Sequence, residues 1–316
     1  MRNYLSEIKG RFVVRLSVVE ALLLNSSTTL TATILMMFIL LSSCEKEITV
    51  TLPEAEKKVV VEGAIEQGRH PYVLLTRSSP YFAPVSDFTN NLFVTDAIVI
   101  VSDGILSDTM HGGLNMEVYN PFPVFAYTSD IITGAIGGSY SLKIIADGKT
   151  LTATTTIPTP VVLDSLWVKP KAGSTNDSLV NVWALLSDPA PIGNNYRWFT
   201  KVLGRDARYL APGGAAFNDK FTNGVQYDIW YHHPDDPLTQ TDTIDHNHRF
   251  FKGDTVVVKF CSIDVASYNF FYSMENVMDA NGNPFAAPAS VFTNVSTGGL
   301  GGWIGYGAFY DTLVIK

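Results

Sequence analysis

Most of this chain carries an alternation of two, which confines it to extended strands with one buried face. In Tyr140-Ser141-Leu142-Lys143-Ile144, the residues Tyr140, Leu142 and Ile144 fall on one side of an extended backbone and polar residues on the other. Asp147-Gly148 then turns the chain into Leu151-Thr152-Ala153-Thr154-Thr155-Thr156-Ile157. Upstream, Val59 to Ile65 and Tyr72 to Thr76 are short and rich in β-branched or aromatic residues. Ala97 to Val101 and Ile105-Leu106 flank Asp103-Gly104, a pair suited to the positive backbone angles of a tight hairpin. Short strands separated by turns, with no helical stretch among them, predict an immunoglobulin- or transthyretin-like β-sandwich over residues 58–158.

Pro158-Thr159-Pro160 interrupts this pattern. Proline has no amide donor and a fixed φ, so the segment is read as a domain boundary. Residues 161–316 are expected to form a second β-rich domain with one helix. Its strands are placed at Val161 to Val168, Leu179 to Leu186, Tyr196 to Leu203, Gln226 to Tyr231 and Thr255 to Ile263, with an irregular loop from Arg205 to Val225. Asp264 is a suitable N-cap for a helix carrying Tyr268, Phe271, Tyr272, Met274 and Met278 at near-helical spacing, and Asn281-Gly282 is a suitable end. The run Gly298-Gly299-Leu300-Gly301-Gly302-Trp303-Ile304-Gly305-Tyr306-Gly307 lacks the Lys-Ser/Thr of a phosphate loop. It is read as a glycine-rich turn leading into the last strands, with Trp303 and Tyr306 as accessible aromatics.

Ahead of the β pattern stands Ile34-Leu35-Met36-Met37-Phe38-Ile39-Leu40-Leu41-Ser42-Ser43-Cys44, preceded by Lys9, Arg11 and Arg15. The apolar run is too short for a permanent span, and small residues precede a cysteine, as in a cleaved lipoprotein signal. Residues 1–43 are therefore read as signal peptide, Cys44 as the acylated first residue of the exported protein, and 44–57 as a tether. The chain has a net charge of −8, and the signal region contains more basic than acidic residues, so the exported part is more acidic still. Such a body is unsuited to nucleic acid or to electrostatic docking on an anionic membrane. Only two cysteines occur. With Cys44 on lipid, Cys261 has no disulfide partner and is read as a small buried hydrophobe in a strand.

Several motifs, in order, resemble one family. They are Cys44-Glu45, Val59-Val60-Val61-Glu62-Gly63, Arg77-Ser78-Ser79-Pro80-Tyr81-Phe82, Gly138-Ser139-Tyr140-Ser141-Leu142 and Thr156-Ile157-Pro158. Gly253-Asp254-Thr255-Val256, Asp264 to Tyr272, Asn283-Pro284-Phe285, Asn294-Val295 and the glycine-rich stretch continue the series. Together they resemble the Gram-negative outer-membrane lipoproteins grouped as domain of unknown function 4249. The resemblance implies an outer-membrane location and work beside a TonB-dependent uptake receptor. It supplies no catalytic residues.

The densest polar constellation is His232-His233-Pro234-Asp235-Asp236, followed by Asp242, Asp245, His246 and His248. On an extended segment His246 and His248 face one way, and with Asp235 and Asp236 they make a candidate metal set for which calcium and zinc both remain open. The plainer reading is a polar loop joining Trp230-Tyr231 to Phe250-Phe251, and no cofactor is required by anything else in the chain. No local hydrolase motif is present. The favoured expectation is a lipid-anchored, non-enzymatic binding or accessory protein with Trp303 and Tyr306 as its partner-binding patch. A surface hydrolase acting on glycan or peptide and a structural adhesion module are the alternatives. The anchor is directly testable: Cys44→Ala should release the protein from membranes or leave it as an unprocessed precursor in fractionation, and a processed, membrane-retained variant would refute lipidation.

Overall fold

The computed structural model describes residues 56–79, 92–234, 236, 249–280 and 290–316. It is mainly β, with 49% of the described residues in strands and 7% helical. Among the described residues the strands are β1 (Val59–Glu66), β2 (Tyr72–Arg77), β3 (Ile98–Ser102), β4 (Ser107–Thr109), β5 (His111–Asn115), β6 (Val124–Thr128), β7 (Ser139–Ala146) and β8 (Lys149–Thr156). They continue with β9 (Ser165–Pro170), β10 (Leu179–Ser187), β11 (Asn195–Val202), β12 (Ala216–Asn218), β13 (Gln226–Tyr231), β14 (Phe250–Phe251), β15 (Thr255–Ser262) and β16 (Gly299–Val314). The helix α1 spans Val265–Ala280, between β15 and β16.

The strands form three sheets: an eight-stranded one in the order β12-β11-β15-β16-β1-β2-β6-β5, and two four-stranded ones, β4-β3-β7-β8 and β13-β10-β14 with β9 on the other edge of β10. One face of the large sheet is covered by both small sheets. Alternation sorts its side chains accordingly. Val61, Val73 and Leu75 meet Val99, Leu142 and Ile144 in a first core, whereas Trp198, Val258 and Phe260 meet Val182, Leu186 and Tyr231 in a second.

The two cores share β16. Its first half, Gly299 to Tyr306, pairs in parallel with β1, and its second half, Gly307 to Val314, pairs antiparallel with β15. The expected boundary at Pro158–Pro160 thus separates two cores without separating two closed domains, because the N-terminal core needs the C-terminal strand. Residues 55–316 form one compact unit. At the change of partners, Gln67 continues beyond β1 by side chain instead of backbone. Its amide nitrogen donates to the Ala308 carbonyl, and its amide oxygen accepts from the Ala308 N–H at 2.7 Å. The strand's polar groups therefore stay satisfied where the ladder steps across.

The glycine-rich stretch is the interior of this strand, not an accessible turn, and the earlier reading is corrected. The reason is a close crossing. The connection from the first core to the second passes directly over β16, so a Cβ on Gly305 would lie 2.2 Å from the Thr156 carbonyl oxygen, and one on Gly307 would lie 2.0 Å from that of Pro158. Only glycine allows backbone to lie on backbone here. Among smaller departures, β12 lies inside the expected 205–225 loop, β5 and β6 lie where no strand was expected, and β9 begins at Ser165 instead of Val161. Asn281-Gly282 lies outside the described residues.

We expect Gly307→Ala to destabilise the protein by about 3 kcal/mol or more, since backbone must move to admit the methyl group. Gly213→Ala, where an added Cβ meets nothing within 4 Å, should be near neutral. Chemical denaturation of both variants checks this, and equal stabilities would refute the crossing.

Candidate functional site

Three places collect the chemistry-bearing residues. The first is the face of the large sheet turned away from both small sheets, which α1 partly covers. Asp264 fixes the helix there. Its side chain accepts the Ser267 N–H at 2.7 Å as an N-cap, and also accepts the Thr155 hydroxyl at 2.7 Å and the Thr156 N–H at 3.0 Å from β8. Phe271 of the helix packs with Cys261, Ile304 and Ala308 of the sheet.

Beside this apolar patch lies a buried ionic cluster. Glu66, at the end of β1, pairs with Lys259 of β15, accepts the Tyr310 hydroxyl at 2.6 Å and meets the Arg69 guanidinium at 3.2 Å. The Lys259 ammonium also lies 5.1 Å from the Tyr306 ring and 5.3 Å from the Phe199 ring. Burial disfavours the ammonium, but Glu66 and the other electronegative neighbours outweigh it and leave its pKa above the ordinary lysine value. The folded pKa being raised, this contribution to stability is complete below the unfolded-lysine range, around pH 10, and is lost as pH rises through the folded value. One strand over, the Arg197 guanidinium lies 3.5 Å from the Phe271 ring and 3.6 Å from Glu275 of α1. Burial pushes the adjacent Cys261 thiol up to about 12, so it stays protonated and is no nucleophile. These charges tie β1, β11, β15, β16 and α1 together, and their partners are used up in doing so.

Trp303 and Tyr306 belong to this closed interior. Trp303 is fully buried in the first core and donates its indole N–H to the Tyr140 carbonyl at 3.0 Å, while Asn294 brackets its backbone. Tyr306 is buried beside Lys259 and Phe199. The expected partner-binding patch is therefore corrected: strand alternation points the indole inward, and a buried ring anchors the core.

The second place is the His/Asp stretch. His233 is buried and pairs through Nε2 with Asp206 at 2.9 Å, and the same carboxylate accepts the Val202 N–H at 2.6 Å. Asp236 pairs with Arg208. Both residues thus have protein partners, as a structural loop requires. Asp235, His246 and His248 lie outside the described residues, as does Cys44. Among the described residues, no group of three or more His, Cys, Asp or Glu side chains is arranged to hold a metal.

The third place is the outer face of the sheet β13-β10-β9. Trp183 pairs in register with Trp230 on one side and with Trp167 on the other. Three of the chain's five tryptophans thus stand abreast on a face turned from the second core. Trp230 is 52% exposed. Lys169 holds its ammonium 3.9 Å from the Trp183 ring and meets Asp228 at 3.6 Å. The His232 ring lies 5.3 Å from that of Trp230, and beside them opens a groove of about 380 Å³ lined by Lys171, Ala172, Asn181, Trp230 and His232. Sequence reasoning missed this row. Its signal was each tryptophan's position between inward residues, as in Val182-Trp183-Ala184, but the register that aligns the three is not written in any one segment.

A family model described as domain of unknown function (DUF4249) matches residues 45–309. The chain belongs to this family. The match takes in most of both cores and all three aligned tryptophans, so the tryptophan row lies inside the family's region and not in an appended segment. The comparison with curated proteins returned no match.

The ionic cluster yields a prediction about this DUF4249 chain. Glu66→Gln should destabilise it by about 3 kcal/mol or more, because the Lys259 ammonium is left without its counter-charge, and Glu66→Gln/Lys259→Met should recover most of that loss. Denaturant titration of the two variants decides it, and a double variant no more stable than the single one would contradict the coupling.

Proposed function

We propose that this DUF4249 chain is a lipid-anchored binding or accessory protein of the outer membrane that works beside a TonB-dependent uptake receptor. The observation that carries the binding role is the tryptophan row. Placing three large apolar rings on the outer face of a rigid sheet makes little sense for core packing, and aromatic rings on a pre-organised surface are effective recognition elements. The anchor is supported by the apolar run and small residues before Cys44. The receptor is supported by the ordered motifs shared with the family.

The two proposals reinforce one another physically. Tethering confines a protein near integral partners and raises its effective concentration, so a modest interface suffices to hold a complex. Ligand gathered on the outer face would then be delivered within reach of a transporter.

The receptor is tested by purifying the full chain from native membranes in mild detergent, with and without prior crosslinking, and identifying what accompanies it by mass spectrometry. A TonB-dependent receptor should be recovered with it. Recovery of the chain alone in several detergents and after crosslinking would overturn the receptor proposal.

A further inference from the structure

We infer that the groove bounded by Lys171, Ala172, Asn181, Trp230 and His232 is a glycan-binding site, in which Trp230 stacks on the apolar face of a pyranose ring. The inference rests on the binding role proposed above and gives it a ligand class.

The chemistry of the lining selects the ligand. A pyranose ring presents a face of C–H groups and a rim of hydroxyls, so it needs a flat apolar surface edged by donors and acceptors. Trp230 supplies the surface, being the most open of the three aligned rings. Asn181 and Lys171 border the same groove. Asn181 offers both a donor and an acceptor, and Lys171 offers donors to hydroxyls or to an acidic sugar's carboxylate.

The row also has length. Neighbouring strands lie about 4.8 Å apart, so Trp167, Trp183 and Trp230 span about 10 Å across the strands, enough for a short oligosaccharide to lie along them. Lys169 now stands over Trp183, and Asp228 accompanies it. That ion pair is half exposed, so holding it contributes little and its ammonium can turn to a sugar hydroxyl instead.

Other occupants fit less well. An added peptide strand reads backbone groups along a sheet edge, whereas these rings stand on the sheet's face. A lipid surface favours aromatic residues backed by an excess of basic ones; here Lys169 is paired with Asp228 and stands opposite Asn181 on the same face.

The test is titration of the detergent-solubilised full chain with cello-, xylo-, manno- and chito-oligosaccharides and with oligogalacturonate, read by calorimetry and by indole fluorescence. At least one class should bind with a change in indole emission. Trp230→Ala should weaken that binding about tenfold, Trp230→Phe should retain most of it, and the melting temperature should stay close to the parent's. Should Trp230→Ala fold poorly, Asn181→Ala serves in its place and should also weaken binding. No binding by any class, or binding indifferent to both Trp230→Ala and Asn181→Ala, overturns the site. So does Trp230-dependent binding to phosphatidylglycerol vesicles without glycan binding, which would assign the face to the membrane. Receptor co-purification of Trp230→Ala, scored separately, shows whether the receptor proposal stands when the glycan site fails.

Discussion

Everything in this molecule depends on β16 changing partners midway. A strand that pairs with β1 over Gly299 to Tyr306 and with β15 over Gly307 to Val314 makes one sheet of two halves. Two costs come with that step. The ladder has unpaired backbone groups where it shifts, and the chain connecting the cores must cross the shared strand. Gln67 meets the first by lending an amide side chain to Ala308. Gly305 and Gly307 meet the second by having no side chain where Thr156 and Pro158 pass over. The first core is then incomplete until Trp303 and the first half of β16 arrive. Such non-local pairing is entropically expensive to form and is associated with slow folding.

The ionic cluster sits next to that step. Glu66 is the last residue of β1, and Lys259 lies on β15, the strand that takes over on the other edge of β16. Their pairing joins the two halves across the place where the backbone ladder alone is weakest. A buried ion pair is poor evidence of net stabilisation, since desolvation offsets much of the attraction. What it does supply is selectivity of register. A slip of one residue along β16 would turn Tyr310 to the opposite face, away from Glu66, and would bring Trp303 out of the core.

The mainly β class was legible because alternation and turn residues are local. Val59 to Glu66, Gln226 to Tyr231 and the β7–β8 hairpin appear nearly where the pattern put them, and Asp264 caps α1 as its side chain chemistry suggests. What failed was everything decided by partners distant in sequence. Glycines around Trp303 look like a loop when read alone, because the backbone that requires them belongs to residues about 150 positions earlier. Pro158 and Pro160 do mark a passage between cores, yet nothing near them reveals that β16 returns to the first. Asp236 looked like part of a ligand set because its partner Arg208 lies well upstream, inside a stretch read as an irregular loop.

The tryptophan row follows the same logic and shows why the outer face is suited to recognition. Trp167, Trp183 and Trp230 come from three strands and have meaning only once β9, β10 and β13 are in register. The inward neighbours of those rings, among them Val182, Ala184 and Tyr231, are held in the second core. The backbone under the platform is therefore fixed by the same burial that stabilises the fold, and little conformational entropy remains to be lost when a ligand settles on it. A row built on loops would have to be ordered at each encounter. Here the second core does that work in advance, through strands that the shared β16 connects to the rest of the molecule.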